Sequence, residues 1–326
     1  MQNFQQIEYH QTRDFSRKMN ATFDFIKQNW KSLGKATLFI AGPPVFIASL
    51  MMGSSYGEIL SSSFRNPDAV LEIFMAPTFW LQMLLGMILF MLATVMSLAT
   101  INSYIILYEE LRTNEIPVAL VWERVRKTFW VYFGTIVFFF FTYMALCLVI
   151  AIPIGILSVF APTALLFGAF GIIALMIAFV YLIFSFSLTF IIRAYEGLGF
   201  LDAIKRSFNL VKGKWWSTFG LILILSMIMG FISYIPLFPV YVIMGVTTLH
   251  NVSSDPTANP LEGLSTVLPI LLALYYTLQL LLSALPNIGI AFQYFNLMER
   301  KEARGLMSSI DSFGVTPTPP QSDETF

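Results

Sequence analysis

Few side chains in this chain can do acid–base, nucleophilic or metal chemistry, and those few are poorly placed to meet. There are two histidines, His10 and His250, and one cysteine, Cys147. His10 lies in a polar N-terminal stretch and His250 at the outer edge of an apolar run, so the topology derived below puts them on opposite sides of a membrane. Cys147 sits alone inside an apolar run, which rules out an intramolecular disulfide and leaves no thiol site expected. No Gly-rich phosphate loop, His-Glu-x-x-His pair or clustered Cys/His pattern occurs. Ionisable groups inside a membrane are costly and therefore mark transport or catalysis. The apolar runs hold none except His250. The sequence thus predicts no catalytic residue, no cofactor, no metal and no enzyme activity.

Uncharged polar residues remain, gathered late in three apolar runs. They are Asn102 and Ser103, then Ser185, Ser187 and Thr189, then Gln293 and Asn296. They would either converge on a small polar cavity or hydrogen-bond between helices, and the second is the commoner use of such side chains.

The basic residues form the other pattern. Lys205, Arg206, Lys212 and Lys214, with Arg124, Arg126 and Lys127, are candidate lipid-headgroup contacts, and Lys27, Lys31 and Lys35 extend the belt. Each contributes about 1 kcal/mol of attraction near an anionic leaflet. The plainer role is to set topology and anchor the loops. Trp30, Trp130, Trp215 and Trp216 read as anchors at the membrane–water interface.

The elements that must carry these residues follow from hydropathy. The 326 residues are 57% hydrophobic and 12% charged, with mean hydropathy +0.73; a soluble domain carries about twice that share of charge. Charged residues are missing from 36–57, 73–108, 128–192, 215–254 and 263–298. About 20 apolar residues span a bilayer core as a helix. The longest run needs two helices, with Pro153, Gly155 and Pro162 marking the turn. The reading is an all-α integral membrane protein of six transmembrane helices. All of the 19 Lys and Arg residues except Arg65 then fall on one side. The positive-inside rule makes that side cytoplasmic, with both termini there and the chain multi-pass in a cell inner membrane. A cleavable signal is not expected, because the first apolar run lies behind a long charged segment.

A pattern recurs three times. Residues 204–220 read IKRSFNLVKGKWWSTFG, 26–34 read IKQNWKSLG and 125–134 read VRKTFWVYFG. Each ends Trp-x-x-(Leu/Phe)-Gly, at Trp30/Gly34, Trp130/Gly134 and Trp216/Gly220, and each opens an apolar run. Phe23, Ile26, Trp30 and Leu33 share one helical face, as do Leu201, Ile204, Phe208 and Val211. The expected architecture is three hairpin repeats, each preceded by a cytoplasmic amphipathic interfacial helix. The units are about 20–110, 111–197 and 198–300 within one membrane domain, 20–300. Residues 1–19 are expected to be peripheral, and 301–326 a flexible cytoplasmic tail. The Pro43-Pro44 pair is expected to kink the first span or delay its start, and Pro236, Pro239 and Pro286 to bend later ones.

Residues 190–225 resemble the bacterial family called the glycerophosphoryl diester phosphodiesterase membrane domain. The resemblance is carried by Asp202-Ala203-Ile204-Lys205-Arg206-Ser207, Leu210-Val211-Lys212-Gly213, Trp215-Trp216 and the upstream Tyr195-Glu196-Gly197. It implies a six-span fold and a membrane location. In some members of that family a separate soluble domain supplies catalysis; none is expected in this chain, so no diesterase activity and no catalytic residue is carried over.

The sequence therefore points to a non-catalytic, lipid-associated or accessory module. The alternative is a permease for a neutral or lipid-like substrate. Expected partners are membrane lipids, anionic ones among them, and a membrane or cytoplasmic protein; nucleic acid is not expected.

Overall fold

The computed structural model describes residues 6–65, 67–160, 164–251, 262–303 and 307. Among these residues it is all-helical, without strands. The helices are α1 (Phe15–Arg65), α2 (Pro67–Met75), α3 (Pro77–Leu111), α4 (Val118–Phe160), α5 (Ala164–Ser185) and α6 (Thr189–Tyr195). They continue as α7 (Phe200–Val211), α8 (Trp215–Ser233), α9 (Phe238–Asn251), α10 (Glu262–Leu282) and α11 (Ala284–Glu302), with a 3-10 turn at Ile235–Leu237 before α9. Six stretches are long and apolar enough to cross a membrane: Phe15–Leu60, Pro77–Leu111, Val118–Pro153, Phe170–Tyr195, Trp215–Val242 and Val267–Glu302. This is the architecture of a multi-pass membrane protein.

Helix α1 is the central mast. It packs along α3 and α10, α4 packs on α3, and α8 on α11. The long hairpin of α4 and α5 stands to one side, with Phe140, Phe141, Val149, Met176 and Ile177 facing outward. The largest core lies at the end bearing the basic residues. There Phe25, Tyr104, Tyr108, Phe292 and Phe295 are fully enclosed and Tyr9 nearly so. Edge-to-face pairs such as Phe25–Tyr108, at 4.8 Å between centroids, tie α1 to α3.

Several sequence expectations need correction. Pro43 and Pro44 lie inside α1, which runs past them without a break. Proline removes a helical hydrogen bond, but here Ala41 and Val45 are clamped between Ala93 of α3 and Leu280 of α10. Pro153 also lies inside α4, which continues to Phe160, so Pro153 and Gly155 do not mark the turn; Pro162, the third expected marker, falls between α4 and α5 and is outside the described residues. Span five does break where Pro236 enters the 3-10 turn. Span six breaks at Ser283, with Pro286 in the first turn of α11, where the missing N–H has no helical acceptor anyway.

The amphipathic segments also differ from one another. Only the third is a separate helix, α7, set off by Gly213 at φ +83. The first two are continuous with α1 and α4. The glycines that follow them, Gly34 and Gly134, have nothing within 4 Å of where a Cβ would stand, and Gly220 only an ordinary contact. Close helix approach occurs instead at Gly53, Gly86 and Gly289.

The N-terminal segment is not peripheral. Tyr9, Arg13 and Lys18 are all buried. Of the expected flexible tail, 304–306 and 308–326 lie outside the described residues.

Candidate functional site

The N-terminal segment is held in the basic end by polar contacts on three sides. Its Ile7 amide donates to the Tyr108 hydroxyl at 3.0 Å, and the Tyr9 hydroxyl donates to the Ile105 carbonyl at 3.0 Å. The Tyr9 ring stacks on Phe295 at 4.7 Å. Burial raises the Tyr9 phenol well above the usual tyrosine value, with Tyr108 and Glu109 adding to the effect. The Arg13 amide donates to Asn296 Oδ1 at 2.6 Å, and its guanidinium lies 5.4 Å from the Phe292 centroid. Burial lowers the Arg13 pKa, opposed by Glu8. Lys18 Nζ donates to Gln293 Oε1 at 2.6 Å and to Ser217 Oγ at 2.8 Å. No sequence signal marks these residues, because these hydrogen bonds join positions between 96 and 283 apart.

Glutamates at the ends of α3 and α6 organise the rest of this collar. Glu109 Oε1 lies 3.2 Å from His10 Nε2 and 3.3 Å from the Tyr195 hydroxyl. Glu196 takes Arg206 Nε on both oxygens, at 3.0 and 2.8 Å, and the Tyr294 hydroxyl at 2.5 Å. Arg206 also reaches Glu302 at 2.5 Å. Hydrogen bonding to Glu302 and then to Glu196 raises the Arg206 pKa, so this side chain stays charged. His10, Glu109 and Tyr195 are the nearest approach to an acid–base set. Among the described residues no three His, Cys, Asp or Glu side chains gather as a metal ligand set. The His250 side chain is outside the described residues.

The predicted headgroup contacts divide. Arg206, Arg124 and Lys127 are committed to carboxylates, the last two to Glu110 at 2.6 Å and Glu123 at 2.7 Å. Lys205, Lys212, Lys214 and Arg126 are exposed, with Arg126 lying over the Trp122 ring. Trp30, Trp130 and Trp216 point outward, whereas Trp215 stacks on Tyr181 at 5.5 Å.

The predicted polar cluster is buried except for the half-buried Ser187, and it does not converge. Gln293 and Asn296 meet the N-terminal segment. Asn102 donates to the Leu98 carbonyl and Ser187 to that of Phe184. Ser185 returns to Tyr181 of its own helix, and Ser103 is enclosed in the core. Two of the seven, Asn102 and Ser187, do share a cleft.

That cleft has a volume of about 520 Å³ and is walled by α3, α4, α5, α6, α8, α11 and the break before α6. Its walls are aromatic and aliphatic, including Phe139, Phe140, Tyr143, Phe184 and Phe190, with Thr94, Asn102, Ser187 and Asn287 as its neutral polar groups. Among the described residues no carboxylate, lysine or arginine lines it. The break is local: Thr189 N bonds Phe186 O at 3.0 Å, and the Ser185 carbonyl is taken by Ser207 Oγ of α7 at 2.7 Å. Beside the cleft, Thr100 Oγ1, Tyr132 Oη, Thr189 Oγ1 and Arg193 Nε are buried without a hydrogen-bond partner among the described residues. They belong to α3, α4 and α6, and the Tyr132 ring stacks on Phe190 of the cleft wall at 5.9 Å. An aromatic cleft with a few neutral donors and acceptors can hold an apolar chain and orient one polar group on it.

Comparison with known proteins gives no match to a family model, a curated protein or a solved structure.

Proposed function

We propose that this chain is a non-catalytic, lipid-associated module of the bacterial inner membrane, built from three hairpin units, with both termini cytoplasmic. The supporting observation is the cleft at the α5–α6 break, whose aromatic walls and neutral polar groups suit an uncharged amphiphile. Its volume falls in the roughly 300–1,000 Å³ range of small-molecule sites. The excess of Lys and Arg at one end supports the orientation, and the resemblance across 190–225 supports the same location. The exposed Lys205, Lys212, Lys214 and Arg126 would face anionic headgroups, and membrane lipids are the partners. The broken helices at 186–188, 234–237 and Ser283 favour a second reading, a permease for a neutral or lipid-like substrate.

The test is to purify the protein in native lipid and identify co-purifying lipids by mass spectrometry, for the wild type and for Ser187→Trp, which fills the cleft. A stoichiometric lipid lost in the variant supports the proposal. Equal lipid content in both, with both folded, rejects it. If the same lipid then crosses reconstituted vesicles only with wild-type protein, the permease reading replaces the module reading.

A further inference from the structure

A second cavity, of about 570 Å³, lies at the basic end between α1 and the connection from α3 to α4. Gln28, Lys31, Ser32 and Lys35 of α1 line one wall, and Asn114 and Glu115 the other. We propose that this cavity binds the phosphate of an anionic lipid headgroup through Lys31 and Lys35. The inference rests on the chain spanning a membrane and is independent of the α5–α6 cleft, which shares no residue with this cavity.

Charge is the first argument. Lys31 and Lys35 are four positions apart, so they project from one face of α1. Among the described residues neither makes an ion pair; Lys31 Nζ instead lies 5.6 Å from the Trp30 ring centroid. Glu115 is the one carboxylate of the lining, which leaves a net positive charge of one. A phosphodiester monoanion matches that charge.

Preorganisation is the second argument. Ser32 Oγ donates to the Ile116 carbonyl at 2.7 Å, and Asn114 Nδ2 to the Gln28 carbonyl at 3.3 Å. The Tyr104 hydroxyl lies 3.1 Å from the Asn114 carbonyl. The connection is therefore pinned to α1 before any ligand arrives, and little ordering is left for binding to supply.

Depth is the third argument, and it selects a lipid over free phosphate. The charge-free run of α1 begins at residue 36, directly after Lys35. Trp30 stands on the rim and is 61% exposed as a residue, at the level where amphipathic rings and lysines meet headgroups. A headgroup reaches this cavity laterally while its chains stay along α1.

The test uses full-length protein in nanodiscs of mixed phosphatidylglycerol and phosphatidylcholine, with bound lipid counted by native mass spectrometry. The expected result is that Lys31→Gln/Lys35→Gln weakens phosphatidylglycerol retention about tenfold. Lys205→Gln/Lys212→Gln removes the same charge from the open α7 surface, where headgroups are met without a cavity, and is expected to weaken retention by less than about twofold. Glu115→Gln is expected to strengthen retention, a gain that misfolding cannot produce. Equal losses in the two lysine pairs, or no change in either Lys31→Gln/Lys35→Gln or Glu115→Gln, overturn the proposal. Displacement of the lipid by an equal concentration of inorganic phosphate overturns the lipid assignment. Ser187→Trp is expected to keep phosphatidylglycerol preference, so failure of the cleft reading would leave this one standing.

Discussion

Lys18 Nζ donates to Gln293 Oε1 at 2.6 Å, joining the start of α1 to the last helix across 275 positions. The ammonium is almost fully enclosed, and its other partner is the Ser217 hydroxyl. Lys18→Met leaves the Gln293 oxygen without its charged donor and is expected to cost about 1–3 kcal/mol. Gln293→Leu leaves a buried charge with less compensation and is expected to cost more. The double variant should cost less than the sum of the two, because both single changes break one interaction. Thermal unfolding in detergent measures all three, and strict additivity would sink the coupling.

Alkaline pH should loosen the N-terminal segment through Tyr9. Burial raises its folded-state pKa above that of an unfolded tyrosine, about 10. As pH rises past the unfolded value, the unfolded chain releases a proton that the folded one retains. Stability contributed by the neutral phenol is therefore full below about pH 10 and lost above it. Tyr9→Phe lacks the titrating group and loses only the hydrogen bond to the Ile105 carbonyl. Its melting temperature should start lower at neutral pH and fall less steeply between about pH 10 and 12. Parallel curves for the two proteins would contradict this account.

Hydropathy alone sufficed to read six spans, because charge-free length is a local property, and α3 covers nearly all of the charge-free run 73–108. Polar pairing was not legible. Arg206 looked like a surface contact from its place in an amphipathic stripe, yet its partners Glu196 and Glu302 lie outside that stripe. Tyr9 looked peripheral because nothing around it is periodic, and it is buried by rings from α1, α3 and α11. Proline was an unreliable marker of breaks for the same reason. Pro43 and Pro236 have the same local chemistry, but helix neighbours hold the first in line, while at the second the chain enters a 3-10 turn.

Glycine at 53 is set by the approach of α1 to α10. A Cβ there would lie 2.7 Å from Pro269 Cα, a backbone atom that cannot step aside. Gly53→Ala should push the helices apart and cost about 1–3 kcal/mol. Gly34→Ala on the same helix has open space around it and is expected to be neutral or stabilising by up to about 1 kcal/mol through helix propensity. Opposite shifts in melting temperature for these two changes would confirm that packing outweighs propensity at Gly53.

Arg206 separates structural charge from lipid-facing charge. Its planar guanidinium forks between two carboxylates, Nε donating to both Glu196 oxygens and Nη1 to Glu302, with 24% of the side chain exposed. Removing it leaves two carboxylates facing each other and takes from Glu196 one of its two partners, the other being Tyr294. Arg206→Gln should cost about 2 kcal/mol, less than a fully buried pair because water still screens the site. Arg206→Lys should recover only part of that loss, since a single ammonium cannot reproduce the planar fork. Lys205→Gln, one position earlier and exposed, should leave stability unchanged. If Arg206 served the membrane instead, Arg206→Gln would reduce anionic-lipid retention without lowering the melting temperature; the forked geometry predicts the reverse, a lower melting temperature with lipid retention intact.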